Sequence, residues 1–264
     1  MYGGFLAGAG GKSDEKVIPK MIPKIIHCCW FGGKKTRLAQ RCLASWRKFA
    51  PAWEVREWDI KTLRREFGAE DLGGRVTLPD FVEQALAVRQ WAFAADWARF
   101  AVLECFGGAY FDFDEELVAS IDHLDKTEWG AAEWLIDGSA RVNPGAGIAL
   151  GKGSPIAKAM LEYYAAHGLD CKTTVGEILE NILHCSTINL QPSSCSLTFC
   201  LPPEVFSPID CKGRIHRTAN TLGIHHYAMS WAPWWRKALQ WLSWHGGRPL
   251  VDFALSIKRK VVGV

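Results

Sequence analysis

The chain has 264 residues, of which 48% are hydrophobic and 22% charged, and its formal net charge is +3. This is ordinary for a soluble globular protein with one large domain and a substantial core. A charge this small does not by itself indicate nucleic-acid binding. Nine cysteines without a Cys-x-x-Cys spacing indicate small buried side chains in a reducing compartment.

The first twenty residues are rich in glycine and then of mixed charge. This composition predicts a flexible segment over 1–20, without the apolar core of a signal peptide. No window approaches the ~18 uninterrupted apolar residues of a membrane-spanning helix. We therefore expect a cytoplasmic protein.

The globular part begins with an apolar run over 24–31 that ends at Gly32-Gly33, which predicts a buried parallel strand. Residues 38–49 have helical spacing, and 53–58 alternate as in a second strand. A strand, a helix and a strand in this order favour a parallel sheet with helices on its faces.

A long apolar helix is predicted over 79–106, with Gly107-Gly108 as its stop signal. Arg89, Asp96 and Arg99 form a charged stripe on this helix. Because unpaired buried charge is costly, the stripe either contains an internal Asp96–Arg99 ion pair or lines a polar cleft.

Two aspartates, Asp112 and Asp114, follow these glycines one residue apart. On an extended chain, residues i and i+2 share a face, so both carboxylates can point at the same spot. Two anionic oxygen ligands suit a hard cation such as Mg²⁺ or Mn²⁺, which takes its other ligands from water and substrate phosphates. The pattern therefore predicts a site for a metal-bridged diphosphate.

Beyond the aspartates come the segments 129–135 and 148–151, and then helices are predicted over 154–167 and 173–184. Asn143 lies in an irregular Pro-Gly turn between the two segments. Its amide either contacts a donor sugar or only shapes the turn.

Four segments in this order resemble glycosyltransferase family 32: IPKIIHCCWFGG (22–33), ADWARF (95–100), GGAYFDFD (107–114) and IHHYAMSW (224–231). The family includes capsular-polysaccharide sugar transferases and initiating mannosyltransferases. The resemblance implies a GT-A fold over 21–231, a Rossmann-like open mixed sheet flanked by helices. Such sheets bind nucleotides at the carboxyl ends of their strands.

The resemblance also implies roles for the donor site. Trp30 would lie at the nucleotide base, unless it is a core tryptophan at a strand end. Asp96 would hold ribose or sugar hydroxyls, and Arg99 would contact the sugar or the diphosphate. Ser230 and Trp231 would lie beside the leaving group.

The same resemblance implies a metal site. Asp112 would contact ribose and the metal, and Asp114 would be the direct metal ligand. His226, with His225 as the alternative, would complete the metal and diphosphate site. The catalytic set is therefore Asp96 and Arg99 with the two aspartates of the motif.

Two positions depart from the family pattern. Ala95 replaces a serine found in many relatives, and Phe113 replaces a small residue such as threonine. Phe113 is expected to face the core, opposite the aspartates. Both changes bear on which sugar is bound.

The last segment, 232–264, is rich in tryptophan and in Lys and Arg, and we expect a helical appendage there. Tryptophan favours the membrane interface, and basic residues favour anionic lipid. Residues 231–264 therefore either contact a membrane surface at the inner face of the cell membrane, cover the end of the sheet or form a dimer contact.

These observations together predict a retaining, metal-dependent glycosyltransferase that moves a hexose from a nucleotide sugar to a glycan or a lipid-linked oligosaccharide. The expected donor is a UDP-sugar, or GDP-mannose as the second choice, and the expected product is a surface or capsular polysaccharide. One alternative is a catalytically silent module that binds nucleotide sugar or membrane. The other is a phosphatase of the haloacid-dehalogenase type, which also places Asp-x-Asp at the end of a strand.

Overall fold

The first secondary-structure elements form the parallel strand–helix–strand unit that the sequence predicts. They are β1 (Ile25–Cys29), α1 (Arg37–Phe49), β2 (Glu54–Trp58) and α2 (Ile60–Phe67). α1 begins after Thr36, whose side chain accepts a hydrogen bond from the Ala39 N–H. α2 begins with a capping box formed by Asp59 and Thr62.

In this computed structural model the described residues are 21–68, 76–135, 137–169, 173–184, 199–210, 213–228, 237–238, 241 and 244.

The long helix predicted over 79–106 is two helices, α3 (Asp80–Ala87) and α4 (Trp91–Phe106). Between them Arg89 has a φ of 60°, a left-handed conformation that an α-helix of L-residues does not accommodate. Arg89 therefore does not belong to the predicted charged stripe. Asp96 and Arg99 both lie within α4, which ends at Gly107 as predicted.

The rest of the chain completes the sheet and its helical layers. The remaining strands are β3 (Gly108–Tyr110), β4 (Glu115–Leu117), β5 (Trp129–Trp134), β6 (Ala140–Val142), β7 (Ile148–Leu150), β8 (Cys200–Leu201) and β9 (Gly223–His225). The remaining helices are α5 (Pro155–His167), α6 (Val175–His184) and α7 (Pro203–Phe206).

Within the described residues the main sheet has the order β2-β1-β3-β7-β5-β6, with β8 paired to β5. β1 is parallel to β2 and β3, and β5 is parallel to β8, whereas β3–β7, β7–β5 and β5–β6 are antiparallel. A second small sheet pairs β4 with β9, and Glu115 lies opposite His225. The predicted mixed sheet with flanking helices is therefore confirmed.

The core has one part on each face of the main sheet. One cluster packs helices α2 to α6 around α4 and includes Trp97 and Phe100. The other packs α1 and α7 around Trp46, Phe111 and Trp129. Successive residues of β3 alternate between the two clusters, because side chains along a strand point to opposite faces.

His27 is a buried residue of β1 that contacts both a neighbouring strand and the end of a helix. Its Nδ1 accepts a hydrogen bond of 3.0 Å from Trp58 Nε1, and its Nε2 lies 2.9 Å from Gly107 O. Burial lowers the pKa of His27 to about 4, so the ring is neutral at neutral pH and donates through Nε2. This histidine is a structural residue that links β1, β2 and the end of α4.

The two terminal segments lie largely outside the described residues. Nothing of 1–20 is described, and of 232–264 only 237–238, 241 and 244 are. A side chain at Gly213 would overlap the Trp244 ring, so this tryptophan packs on the domain, whereas Trp241 is 58% exposed. None of the described helices is long and apolar enough to cross a membrane.

Candidate functional site

Asp112 and Asp114 lie just beyond β3, on a turn rather than on an extended strand. The Glu115 N–H donates to Asp112 O at 3.0 Å and closes this turn. The expectation that both carboxylates share one strand face is therefore wrong in its geometry, because β3 ends at Tyr110. The motif does lie at the carboxyl edge of the parallel strands β1 and β3, where open sheets bind ligands.

Asp112 is joined to α4 through a buried arginine. Arg99 Nη2 lies 3.1 Å from Asp96 Oδ1 and 3.4 Å from Asp112 Oδ1. Arg99 is 3% exposed, whereas the Asp112 side chain is 35% exposed. Both interpretations of the charged stripe are thus partly right, since the internal ion pair exists and also reaches the motif.

The electrostatics of this group follow from its burial. Burial raises the pKa of Asp96 to about 6, although Arg99 acts in the opposite direction. The Arg99 guanidinium also lies over the Tyr110 ring, 4.9 Å from its centroid. One cation shared by two carboxylates leaves this group with a net negative charge.

The turn over 143–147 supports Asp112 from the other side. The Asp112 N–H donates to Gly145 O at 2.9 Å, and a side chain at position 145 would overlap Asp112 Oδ2. Asn143 holds this turn, since its Oδ1 accepts from the Gly145 N–H and its Nδ2 donates to Glu133 Oε2, both at 2.9 Å. Asn143 therefore lies beside the motif, and its amide shapes the turn.

Asp114 is held by the segment that follows β9. The His226 N–H donates to Asp114 O at 2.9 Å, and the Ala228 N–H donates to Asp114 Oδ2 at 2.8 Å. These contacts bring the C-terminal histidine pair to the motif across more than a hundred residues of sequence. No sequence pattern predicts the hydrogen bond from Ala228, because every residue except proline has a backbone N–H.

Both histidines lie at the motif, but the ring that faces Asp114 is that of the alternative, His225, and not that of His226. The His226 ring binds Glu116 Oε2 at 2.7 Å and lies 3.2 Å from Arg41 Nη2. The ring that faces Asp114 is His225, whose Nδ1 lies 3.8 Å from Asp114 Oδ1. The pairing of β4 with β9 explains this, since it places His225 opposite Glu115.

Glu115 directly follows the motif, and its burial beside His225 is a feature that no sequence pattern predicted. It is fully buried, and its Oε2 lies 3.4 Å from His225 Nδ1. Burial raises the pKa of Glu115 to about 8, although His225 lowers it. Burial lowers the pKa of His225, but Asp114 and Glu115 outweigh this and raise it to about 9. A buried acid–histidine pair therefore lies beneath Asp114.

Trp30 lies at the carboxyl end of β1 and is half-buried. Its Nε1 donates to Gly33 O at 2.7 Å, and its ring packs edge-on to Phe113 with centroids 5.2 Å apart. Phe113 also packs on Trp46 and belongs to the core, as expected. Trp30 therefore borders the motif turn through Phe113. Ser230 and Trp231 lie outside the described residues.

The side chains around the motif bear on the expected metal. Among the described residues no group of three or more His, Cys, Asp or Glu side chains is arranged to hold a metal ion. The acidic oxygens that fit a hard cation are those of Asp112 and Asp114, with further ligands from water and a bound diphosphate. This two-carboxylate donor set fits Mg²⁺ or Mn²⁺ bound together with a nucleotide.

Residues 36–133 match a family model described as "Glycosyltransferase sugar-binding region containing DXD motif". This range contains Asp96, Arg99 and both aspartates of the motif. No curated protein matches the chain. The match agrees with the prediction of an enzyme of the glycosyltransferase class with an Asp-x-Asp motif.

Similar folds occur among solved structures. One is titled "PaToxG Glycosyltransferase"; it is 19% identical with a TM-score of 0.47, over 64% of this chain and 71% of that one. Another is a transferase mutant, 12% identical with a TM-score of 0.39, over 62% of this chain and 87% of that one.

Proposed function

We propose that this protein is a retaining, divalent-metal-dependent glycosyltransferase of family 32 that adds a hexose to a glycan or a lipid-linked oligosaccharide. The observation that carries the proposal is the Asp-x-Asp turn at the carboxyl edge of β3, tied through Arg99 to Asp96 on α4. We propose a UDP-hexose as the donor, with GDP-mannose as the second choice. The product would be a surface or capsular polysaccharide.

The donor site is proposed along this edge of the sheet. Trp30 flanks the base and Asp96 holds ribose or sugar hydroxyls. Asn143 lies beside the sugar, and the Ser230-Trp231 pair lies at the leaving group. Support comes from two contacts with the motif turn: Trp30 packs on Phe113, and Asn143 holds Gly145, whose O accepts from the Asp112 N–H.

Asp112 and Asp114 are the proposed metal ligands. A divalent cation held there would neutralise the charge of the diphosphate. Arg99 adds a fixed positive charge close to Asp112, and stabilisation of developing charge is the main electrostatic task in such a transfer. The Ala228 N–H keeps Asp114 oriented, since it binds one carboxylate oxygen.

For the transfer itself we propose attack of the acceptor hydroxyl from the same face as the departing diphosphate. The bond from the sugar C1 to the acceptor oxygen forms as the bond from C1 to the diphosphate oxygen breaks. The acceptor proton passes to the diphosphate oxygen, so that no protein nucleophile is required and the anomeric configuration is retained.

The histidine pair has two proposed roles that differ by residue. The His225 ring faces Asp114 and balances its charge. The His226 ring is held by Glu116 and would have to leave that contact to reach the metal. His226 therefore stays a proposed metal ligand only for the nucleotide-bound state.

The test is a thermal-shift screen of the purified protein against UDP, GDP, CDP and their sugars, with and without Mn²⁺. A ligand that binds only the folded state raises the melting temperature by mass action. We expect a metal-dependent rise with one nucleotide, which then identifies the donor base. No rise with any nucleotide, in folded protein, would reject the proposed donor site.

A further inference from the structure

A groove of about 430 Å³ runs along α1 and β4, next to the motif turn but apart from the Asp96–Arg99 pair. Its lining comes from α1, from β4 and the residue after it, and from one arginine far along the chain. The lining includes Arg41, Ala44, Lys48, Leu117, Val118 and Arg217. We call it the α1–β4 groove.

The rim of the α1–β4 groove is positively charged. Arg41 and Lys48 are seven residues apart on α1 and so project from one face, and Arg217 adds a third positive charge to the lining. Glu116 is the one acid in the lining, and its carboxylate is already bound by Arg41 and His226. Lys48 and Arg217 have no carboxylate partner among the described residues. The groove thus carries an excess of positive charge.

The rest of the lining, which we call the floor, is mainly apolar. It includes Ala44, Leu117 and Val118. The Ser45 hydroxyl in this floor is already satisfied, because it accepts from the Leu117 N–H and donates to Cys42 O. A ligand of this groove would therefore meet cations at the rim and apolar surface below.

We propose that the α1–β4 groove binds the phosphate group of the acceptor substrate, with the adjoining apolar part of that acceptor on the floor. This rests on the proposed function, because it assigns the groove to the second substrate. β4 follows the motif turn directly, and Glu116 of the lining binds the ring of His226, whose backbone N–H binds Asp114 O. An acceptor held by its phosphate here would present its hydroxyl beside the donor site.

The test is isothermal titration calorimetry of the whole protein with inorganic pyrophosphate and with farnesyl diphosphate, in EDTA so that no metal bridges phosphate to Asp114. Lys48→Ala/Arg217→Ala should weaken both by at least about tenfold, because charge-assisted contacts to phosphate are lost. The matched control is Lys61→Ala/Arg65→Ala, which removes two exposed charges from α2. It should change either affinity by less than about twofold.

The two probes separate the possible sources of the phosphate. Tighter binding of farnesyl diphosphate than of pyrophosphate would assign the groove to a lipid-linked acceptor. Equal binding would overturn the apolar half of the proposal, because the farnesyl chain would then gain nothing from the floor, and would leave a site for phosphate alone. No binding to the unaltered protein, or equal weakening in both double variants, would overturn the proposal.

Mn²⁺-dependent hydrolysis of a UDP-hexose by the unaltered protein is measured in parallel. This assay tests the proposed function independently of binding in the groove. Hydrolysis without diphosphate binding in the groove rejects the groove alone. Absence of hydrolysis with every nucleotide sugar rejects the proposed function and, with it, the acceptor role of the groove. Melting temperatures of both double variants verify that they fold.

Discussion

Asp112 and Asp114 have different surroundings although they belong to one motif. Asp112 shares the Arg99 guanidinium with Asp96, so part of its charge is balanced within the protein. Asp114 receives a backbone N–H from Ala228 and lies near the His225 ring. A residue that binds metal must remain accessible to it, and both side chains retain some exposed surface.

We expect Asp114→Asn to lower metal-dependent hydrolysis of the nucleotide sugar by at least about a hundredfold, because a metal ligand and a negative charge are lost. The fold should survive, since the amide oxygen can still accept from the Ala228 N–H. The measurement is release of the nucleotide diphosphate, with circular dichroism as the check on folding. Asp80→Asn, on the exposed start of α3, is the control. Normal turnover in Asp114→Asn would remove the basis for the metal assignment.

Arg99→Met should destabilise the protein by about 3–5 kcal/mol, because it leaves two carboxylates without their buried cation. Urea unfolding measures the change. A second substitution, Asp96→Asn, removes one of these charges and should recover part of the lost stability. If the double variant is no more stable than Arg99→Met alone, the shared ion pair is not what stabilises this part of α4.

At the scale of elements, the turn over 143–147 and the motif turn are packed against each other without room for another side chain. Gly145 allows this approach, because a side chain there would overlap the Asp112 carboxylate. The carboxylate is at the end of a side chain that can move. An added methyl group would therefore displace it from Arg99 without disrupting the core.

Gly145→Ala is accordingly expected to cost little stability but to weaken metal-dependent nucleotide binding by about tenfold or more, since a displacement of about 1 Å in a site has effects of this size. Thermal shift measures both predictions: the melting temperature without ligand reports stability, and its rise with nucleotide and Mn²⁺ reports binding. Gly33→Ala is a matched control, because nothing lies within 4 Å of a side chain at that position. Equal nucleotide affinity in the two variants would argue against a role for this turn.

The elements also show where sequence patterns reach their limit. Hydrophobic periodicity was sufficient for the first strand–helix–strand unit and for the apolar α4. It could not reveal the break at Arg89, because a non-glycine residue with positive φ carries no compositional signal. Nor could it assign His225 and His226, since the pairing of β4 with β9 decides which ring is buried, and a shift by one residue would exchange them.

At the scale of the whole molecule, His27 makes stability depend on pH. Its folded-state pKa is about 4 against 6.5 for an unperturbed histidine, because burial disfavours the charged ring. The unfolded chain therefore binds a proton below pH 6.5 that the folded protein does not. The stability that the protein has with a neutral His27 is therefore fully present above pH 6.5. It is lost as the pH falls towards 4, and the free energy of unfolding decreases by about 3 kcal/mol in total.

Replacement of His27 by Gln should remove this dependence, and the expected result is a smaller fall in unfolding free energy between pH 6.5 and 4.5. Urea unfolding at several pH values measures it, and the difference between the two proteins cancels the titration of other groups. His123→Gln, at an exposed position, is the control, and its free energy of unfolding should change with pH as in the unaltered protein. The same pH dependence in His27→Gln would show that His27 is not protonated on unfolding.

For the molecule as a whole, the sequence was sufficient for the fold class, for the position of the motif and for the enzyme class. It was not sufficient for the burial of Glu115, because a run of acidic residues after the motif does not indicate which of them is buried. The structure buries it because β4 pairs with β9 from far along the chain. Contacts between segments so distant in sequence cannot be read from local periodicity.

The pairing of β4 with β9 also sets an order of events during synthesis. The motif turn leaves the ribosome early, but the backbone donors of 226 and 228 that hold Asp114 are made more than a hundred residues later. Because domains form as their segments emerge, a nascent chain would have its sheet half assembled while the motif turn lacked these donors. Nucleotide binding by ribosome-bound chains should accordingly begin only after residue 228 has emerged, and chains stopped at 133, where the family match ends, should have none.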